Sequence, residues 1–143
     1  MDGADPTPGD FGFDRWLATQ NNAAPSHLNP RNFIRDGKPV GQMQGHSCSI
    51  IIEEAFAFLR DTQSAPGDRP FFLNLWFHTS HEPVATSDPF VKMYPDAIPQ
   101  RAIYHGNVTQ MDHEVGRLMH ALRELRLLDD ILIFFTSDNG PET

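Results

Sequence analysis

A chain of 143 residues is long enough for one domain with a real core, and 39% hydrophobic residues with 11 Phe make it globular rather than disordered. Its 19 acidic against 11 basic residues leave a formal charge of −8, the wrong sign for a nucleic-acid partner. One cysteine excludes an internal disulfide framework, and no apolar run approaches membrane-spanning length. The acidic, polar start from Met1 to Pro6 has neither the basic end nor the apolar centre of a signal peptide, so no targeting signal is expected in this stretch.

Residues 1–47 are rich in Pro, Gly, Asn and Asp, with little apolar periodicity. They predict an irregular, loop-rich segment, with one short ordered piece at Phe11–Trp16. From Ser49 to about Thr62, Ile52, Ala55, Phe56 and Leu59 recur at helical spacing and predict an amphipathic helix. Ser64 to Asp68 breaks it, and the run Phe71 to Phe77 predicts a buried strand. After a proline-rich loop, Val108, Met111, Val115, Leu118, Leu122 and Leu125 alternate spacings of three and four. That stripe predicts a long helix from about Ile103 to Leu127, followed by a buried strand over Ile131–Thr136. Helix, strand, helix, strand is an α/β order with parallel pairing expected; there is no repeat and no second domain.

Both strands run into chemistry. Strand 131–136 leads to Ser137, Asp138, Asn139, Gly140 and Pro141. In an open α/β sheet, ligands sit outside the carboxyl ends of the strands. An Asp carboxylate and an Asn carbonyl are hard oxygen donors that suit Ca²⁺ or Mg²⁺ better than zinc. The same residues are also the ordinary vocabulary of a tight turn. Strand 71–77 leads to His78, Thr79, Ser80, His81, Glu82 and Pro83. If the strands are parallel, His81 and Asp138 emerge at one edge, and a histidine can give or take a proton near neutrality. The bland alternative for His81 is a surface loop histidine. A zinc site of His78, His81 and Asp138 is disfavoured, because a strand end lacks the helical spacing that aims two histidines at one metal, and His78 is expected to pack or to support.

The string Phe134 to Glu142 resembles the Ser-Asp-Asn-Gly segment of the sulfatase family, within the alkaline-phosphatase-like superfamily. The segment Pro70 to Pro83 resembles the strand that leads in that family to a His followed by x-Pro, and residues 104–130 follow the intervening helix. The match covers residues 45–143 well, with Gly12-Phe13-Asp14 a looser echo. The resemblance implies an α/β fold with part of a mixed or mostly parallel sheet and flanking helices, incomplete here. Residues 48–143 would be an interior part of the catalytic domain. It implies that Asp138 and Asn139 are calcium ligands and that His81 contacts the sulfate ester and assists proton transfer. It also implies a formylglycine nucleophile, a small-molecule or carbohydrate sulfate ester as substrate, and a periplasmic or secreted protein.

Asp129-Asp130 imitates the family's metal-binding acid pair, but six strand residues place it about 20 Å from Asp138, too far for one ion. It is expected to be a turn. Cys48 lacks the Pro and Arg of the formylglycine motif C/S-x-P-x-R, and near Ser64 the Arg falls one residue late. Cys48 is therefore expected as a small apolar residue at a helix start and Ser64 as a loop residue. Gly116 is expected to permit close approach of another backbone, and Asp112 to be a buried, hydrogen-bonded acid. With nucleophile and paired acids missing, the chain is expected to be an interior slice of a sulfatase, inactive alone. A phosphoester or phosphonate hydrolase of the same superfamily, and a non-catalytic α/β module, are the rival readings. Oligomeric state is not legible.

Overall fold

The computed structural model of the chain describes residues 5–64 and 70–139. A single 3-10 turn, Pro8–Phe11, opens it, with the Asp10 carboxylate accepting both the Thr7 backbone N–H at 2.7 Å and the Thr7 hydroxyl at 2.8 Å. Three two-residue strands follow: β1 (Leu17–Ala18), β2 (Ile34–Arg35) and β3 (Lys38–Pro39), forming an antiparallel sheet in the order β1-β2-β3. Asp36 and Gly37 close the β2–β3 hairpin at φ 47° and 82°. Two successive positive φ values match the right-handed twist of a hairpin, a geometry that Asp-Gly accepts easily. Asp36 also ties in β1, since its carboxylate takes the Trp16 N–H at 2.7 Å. The segment expected to be irregular therefore contains a sheet, and it buries Ala23, His27 and Phe33.

Helix α1 spans Ser47–Ser64, so Ser64 closes this helix rather than lying in a loop. Cys48, Ile51, Ile52, Ala55 and Leu59 form its buried face, with Cys48 near its start as expected. Glu54 accepts from Arg35 at 2.5 Å and from Arg15 at 3.3 Å, which fastens the small sheet to α1. A single helical turn, α2 (Asp88–Val91), precedes the long helix α3 (Pro99–Glu124). Proline at the first position of α3 sacrifices only an N–H that would have had no helical partner. The helix ends where Arg126 turns left-handed (φ 57°), with Leu127 N–H on the Leu122 carbonyl at 2.9 Å and Arg126 N–H on Arg123 at 3.0 Å. Those paired bonds satisfy carbonyls the helix would otherwise leave open.

The buried face of α3 coincides with the apolar stripe only at Leu122. Ala102, Gly106, Asn107, Gln110, Glu114 and Leu122 are buried, whereas Val108 is exposed and Met111, Val115 and Leu118 are only half-covered. Polar residues win because each finds a partner. Glu114 accepts from Ser49 at 2.9 Å and from Arg117 at 2.7 Å, and Arg117 reaches Glu53 of α1 at 2.5 Å. Asp112, expected to be buried, is exposed; the buried acid is Glu114, two positions on. Close backbone approach occurs at Gly106, where a Cβ would meet the Phe90 and Val91 backbone at 3.0 Å. At Gly116 a Cβ would meet nothing within 4 Å.

Neither predicted strand is formed. Among the described residues no ladder pairs 71–77 or 131–136, and the only sheet is the antiparallel one. An apolar β segment becomes a strand through bonds to a neighbour, and here none lies alongside. Segment 71–77 keeps the strand's period of two: Phe71, Leu73, Leu75 and Phe77 are partly covered, while Phe72, Asn74 and Trp76 are exposed. Its Phe71 ring meets Phe58 of α1 edge-on at 5.5 Å. Segment 131–136 is uncovered on both sides, with Leu132 at 78% and Phe134 at 84% exposure.

Candidate active site

The loop that carries His81 is held at both ends. Upstream it continues segment 71–77. Downstream, the buried amides of α3 hold it: Asn107 Nδ2 donates to the Ala85 carbonyl at 2.9 Å, while Gln110 Oε1 accepts from Thr86 Oγ1 at 2.8 Å and from Ser87 N–H at 3.0 Å. This is what the polar face of α3 does, although Asn107 Oδ1 itself is left buried without a hydrogen-bond partner. Within the loop, His81 N–H closes a turn onto the His78 carbonyl at 2.8 Å.

His81 is exposed and lines a cleft of about 500 Å³ with Gln20, Asn22, Asn32, Glu82 and other residues of the 20–25 segment. Its Nδ1 lies 2.6 Å from the Glu82 carbonyl and 3.1 Å from Asn22 Nδ2, and Asn22 Nδ2 also donates to that carbonyl at 2.6 Å. Asn22 Oδ1 accepts from its neighbour Ala23 N–H at 2.9 Å and meets His27 Nε2 at 2.9 Å. A polar, amide-walled cleft beside a solvent-accessible imidazole can bind oxygen-rich groups and exchange a proton with them.

His78 does the supporting work expected of it. Thr19 Oγ1 donates to the Asn21 carbonyl, so it must accept from His78 Nε2–H at 2.9 Å. The ring packs edge-on against Phe33 at 5.6 Å. Burial, reinforced by nearby His27 and His81, pushes its pKa down to about 4, so it stays neutral at physiological pH. Burial lowers the pKa of His27 and His46 as well, and the Nδ1 atoms of all three rings are buried without a hydrogen-bond partner. These rings are structural, and among the described residues no group of three or more His, Cys, Asp or Glu is placed to hold a metal.

Asp138 and Asn139 lie at the far end of the exposed 131–136 segment and do not line the His81 cleft. Asp138 Oδ1 accepts the Asn139 N–H at 2.9 Å, and Ser137 Oγ donates to the Asn139 carbonyl at 2.5 Å. The two side chains have the hard-oxygen chemistry that suits a calcium ion, which takes six to eight ligands. Gly140 and Pro141, the expected turn, lie outside the described residues, as do Pro66 to Arg69. Asp129 and Asp130 form a turn, with Asp130 N–H on the Leu127 carbonyl at 3.1 Å. Sequence reasoning missed Asn22 and His27 altogether; a buried histidine in a Pro/Asn-rich stretch leaves no periodic trace.

A family model described as Sulfatase matches residues 2–143. The chain is 31% identical over 148 residues to N-acetylgalactosamine-6-sulfatase of Canis lupus familiaris, a match spanning 90% of this chain and 26% of that protein. It is 38% identical over 76 residues to arylsulfatase A of Homo sapiens, covering 53% of this chain and 14% of the relative. The solved structure of Ps i-CgsB superposes with a TM-score of 0.70 at 22% identity, covering 85% of this chain and 31% of that one. The chain thus shares part of the α/β fold of that structure and spans 26% of the length of the N-acetylgalactosamine-6-sulfatases it matches. It belongs to the sulfatase family.

Proposed function

We propose that this chain is the part of a sulfuric ester hydrolase that supplies a proton-transfer histidine, His81, and two calcium ligands, Asp138 and Asn139. The observation that carries the reading is the setting of His81: a solvent-accessible imidazole on an amide-lined cleft, with its Nδ1 against a backbone carbonyl. In sulfate ester hydrolysis, negative charge builds on the leaving oxygen as the S–O bond breaks. An imidazole that delivers a proton there lowers the barrier, typically by about 10²- to 10⁴-fold in rate. Asn22 and Asn32 offer neutral amides to the oxygens of a sulfate or of a hydroxyl-bearing alcohol portion. The relatives' names include both a sugar sulfatase and an arylsulfatase, which supports a small-molecule or carbohydrate sulfate ester as substrate.

Asp138 and Asn139 would hold the calcium through a carboxylate and an amide oxygen, with further ligands from elsewhere in the enzyme. A bound calcium ion would offset the charge of the ester oxygens. The formylglycine motif that the family uses is not present in these 143 residues. Periplasmic or secreted location of the whole protein rests on the same family likeness; no helix among the described residues is long and apolar enough to cross a membrane.

The test is His81→Ala in the whole enzyme, assayed with a chromogenic aryl sulfate. A fall in kcat of about 100-fold or more is expected, with the 143-residue chain alone silent. Unchanged kcat in the variant, or turnover by the chain alone, overturns the reading.

A further inference from the structure

His81 Nδ1, Asn22 Nδ2 and the Glu82 carbonyl form a triangle with edges of 2.6, 2.6 and 3.1 Å. The amide orientation of Asn22 is fixed independently. The Ala23 N–H can only donate, so the atom it meets at 2.9 Å is Oδ1, and the opposite atom is the NH₂ group. A carbonyl can only accept, and it has two lone pairs. Two arrangements remain for the imidazole. Either Nδ1 carries a proton and donates to Glu82, alongside the Asn22 amide, or Nδ1 is bare and accepts from Asn22. The second would press a nitrogen lone pair against a carbonyl lone pair at 2.6 Å, while using the longest edge as its hydrogen bond. The first satisfies every group.

We infer that Asn22 is a positioning residue for His81: its amide holds the Glu82 carbonyl against Nδ1–H, which leaves Nε2 as the nitrogen that takes up and gives back the proton. The carboxamide is well placed to impose this. His27, 1% exposed, donates from Nε2 to Asn22 Oδ1. Asn32 Nδ2 donates to the Asn22 carbonyl at 2.9 Å, Asn32 Oδ1 takes the Ala24 N–H at 2.8 Å, and Arg31 N–H reaches the Ala24 carbonyl at 2.7 Å. The titratable groups whose charges reach this cluster are Glu82, His27 and His78. A fixed tautomer matters because a neutral imidazole is a base at only one nitrogen, and the hydrogen bond at the other decides which. The catalytic meaning rests on His81 being the proton-transfer residue, but the tautomer itself does not.

The experiment is long-range ¹H–¹⁵N correlation spectroscopy on the ¹⁵N-labelled chain, with His81 assigned by loss of its signals in His81→Gln. Neutral His81 is expected to be protonated at Nδ1 and bare at Nε2. In Asn22→Ala the Nε2–H form, preferred by unconstrained histidine, becomes the major one. Asn22→Asp keeps an acceptor for Ala23 and His27, and so reports even if the alanine variant unfolds. Its carboxylate, which can only accept, is expected to keep the proton on Nδ1 and to strengthen that bond, moving the Nδ1–H resonance downfield. An Nε2–H ring in the unaltered chain overturns the inference, as does a folded pair of variants in which neither the tautomer nor the Nδ1–H resonance moves. Because no turnover enters this measurement, an active His81→Ala enzyme would remove the functional reading and leave the tautomer result standing.

Discussion

The two halves of the candidate site are built in opposite ways. Around His81, short loops with little apolar periodicity lock one another through amides and backbone groups, and the residues beneath them are fully buried. Around Asp138, a strongly apolar segment leads to the two candidate ligands and is almost wholly exposed. The contrast shows that hydrophobicity alone does not make order. A loop tied by many hydrogen bonds within the chain is positioned by the chain even where a few buried atoms such as Thr79 Oγ1 and His78 Nδ1 lack a partner, whereas a β segment needs a neighbouring strand to complete its hydrogen bonds.

The strongest way to break this comparison is to hollow out the loop half. Phe33 lies in the stretch expected to be irregular, is 1% exposed and packs against His78. Phe33→Ala is expected to cost about 3–5 kcal/mol in urea unfolding, the range for emptying a packed aromatic site. A cost below about 1 kcal/mol would mean that these loops are not a core.

Acid tests the same half more gently. His78 has its folded pKa depressed to about 4, so between that value and the unfolded value near 6.5 the unfolded chain binds more protons. Stability is therefore fully present above about pH 6.5 and is lost as pH falls toward about 4, by on the order of 2 kcal/mol once residual solvent contact is allowed for. The lowered pKa values of His27 and His46 act in the same direction. Urea midpoints at pH 7 and pH 5 measure the slope, and His78→Gln is expected to flatten it.

The smallest effect belongs to the other half. Phe134→Ser in this chain is expected to change stability by less than about 0.5 kcal/mol, as for exposed positions generally. The same change in a longer polypeptide where the segment pairs in a sheet is expected to cost several-fold more. An equal, large cost in both would show that the segment is already packed here.

Much of this was legible in the sequence. Helical periodicity located α1 and α3 to within a few residues at their starts and ends, because an apolar face repeats every three to four positions. Which face of α3 would be buried was not legible. Asn107, Gln110 and Glu114 look like solvent residues until loop 85–87, Ser49 and Arg117 supply their partners. The β2–β3 hairpin fell in the stretch expected to be irregular, because two-residue strands are too short to show the alternation that would have given the Asp36-Gly37 turn its meaning. His81, Asp138 and Asn139 came from family likeness, and their roles stand as the proposal above. Asn22 had no signal, since one amide among Gln20, Asn21 and Asn22 is distinguished only by its neighbours in space.

The grip of α3 on loop 85–87 bears on how loss-of-function variants in this chain should be sorted. Asn107 and Gln110 do not line the His81 cleft, yet they hold the loop that continues from it. If His81 acts as proposed, a genetic screen scoring activity alone would collect substitutions at these helix positions together with those at His81. Abundance measurements would part them, because losing either amide leaves the Ala85 carbonyl or the Ser87 N–H unanswered and lowers the amount of folded protein, while substitution of the exposed His81 leaves it unchanged.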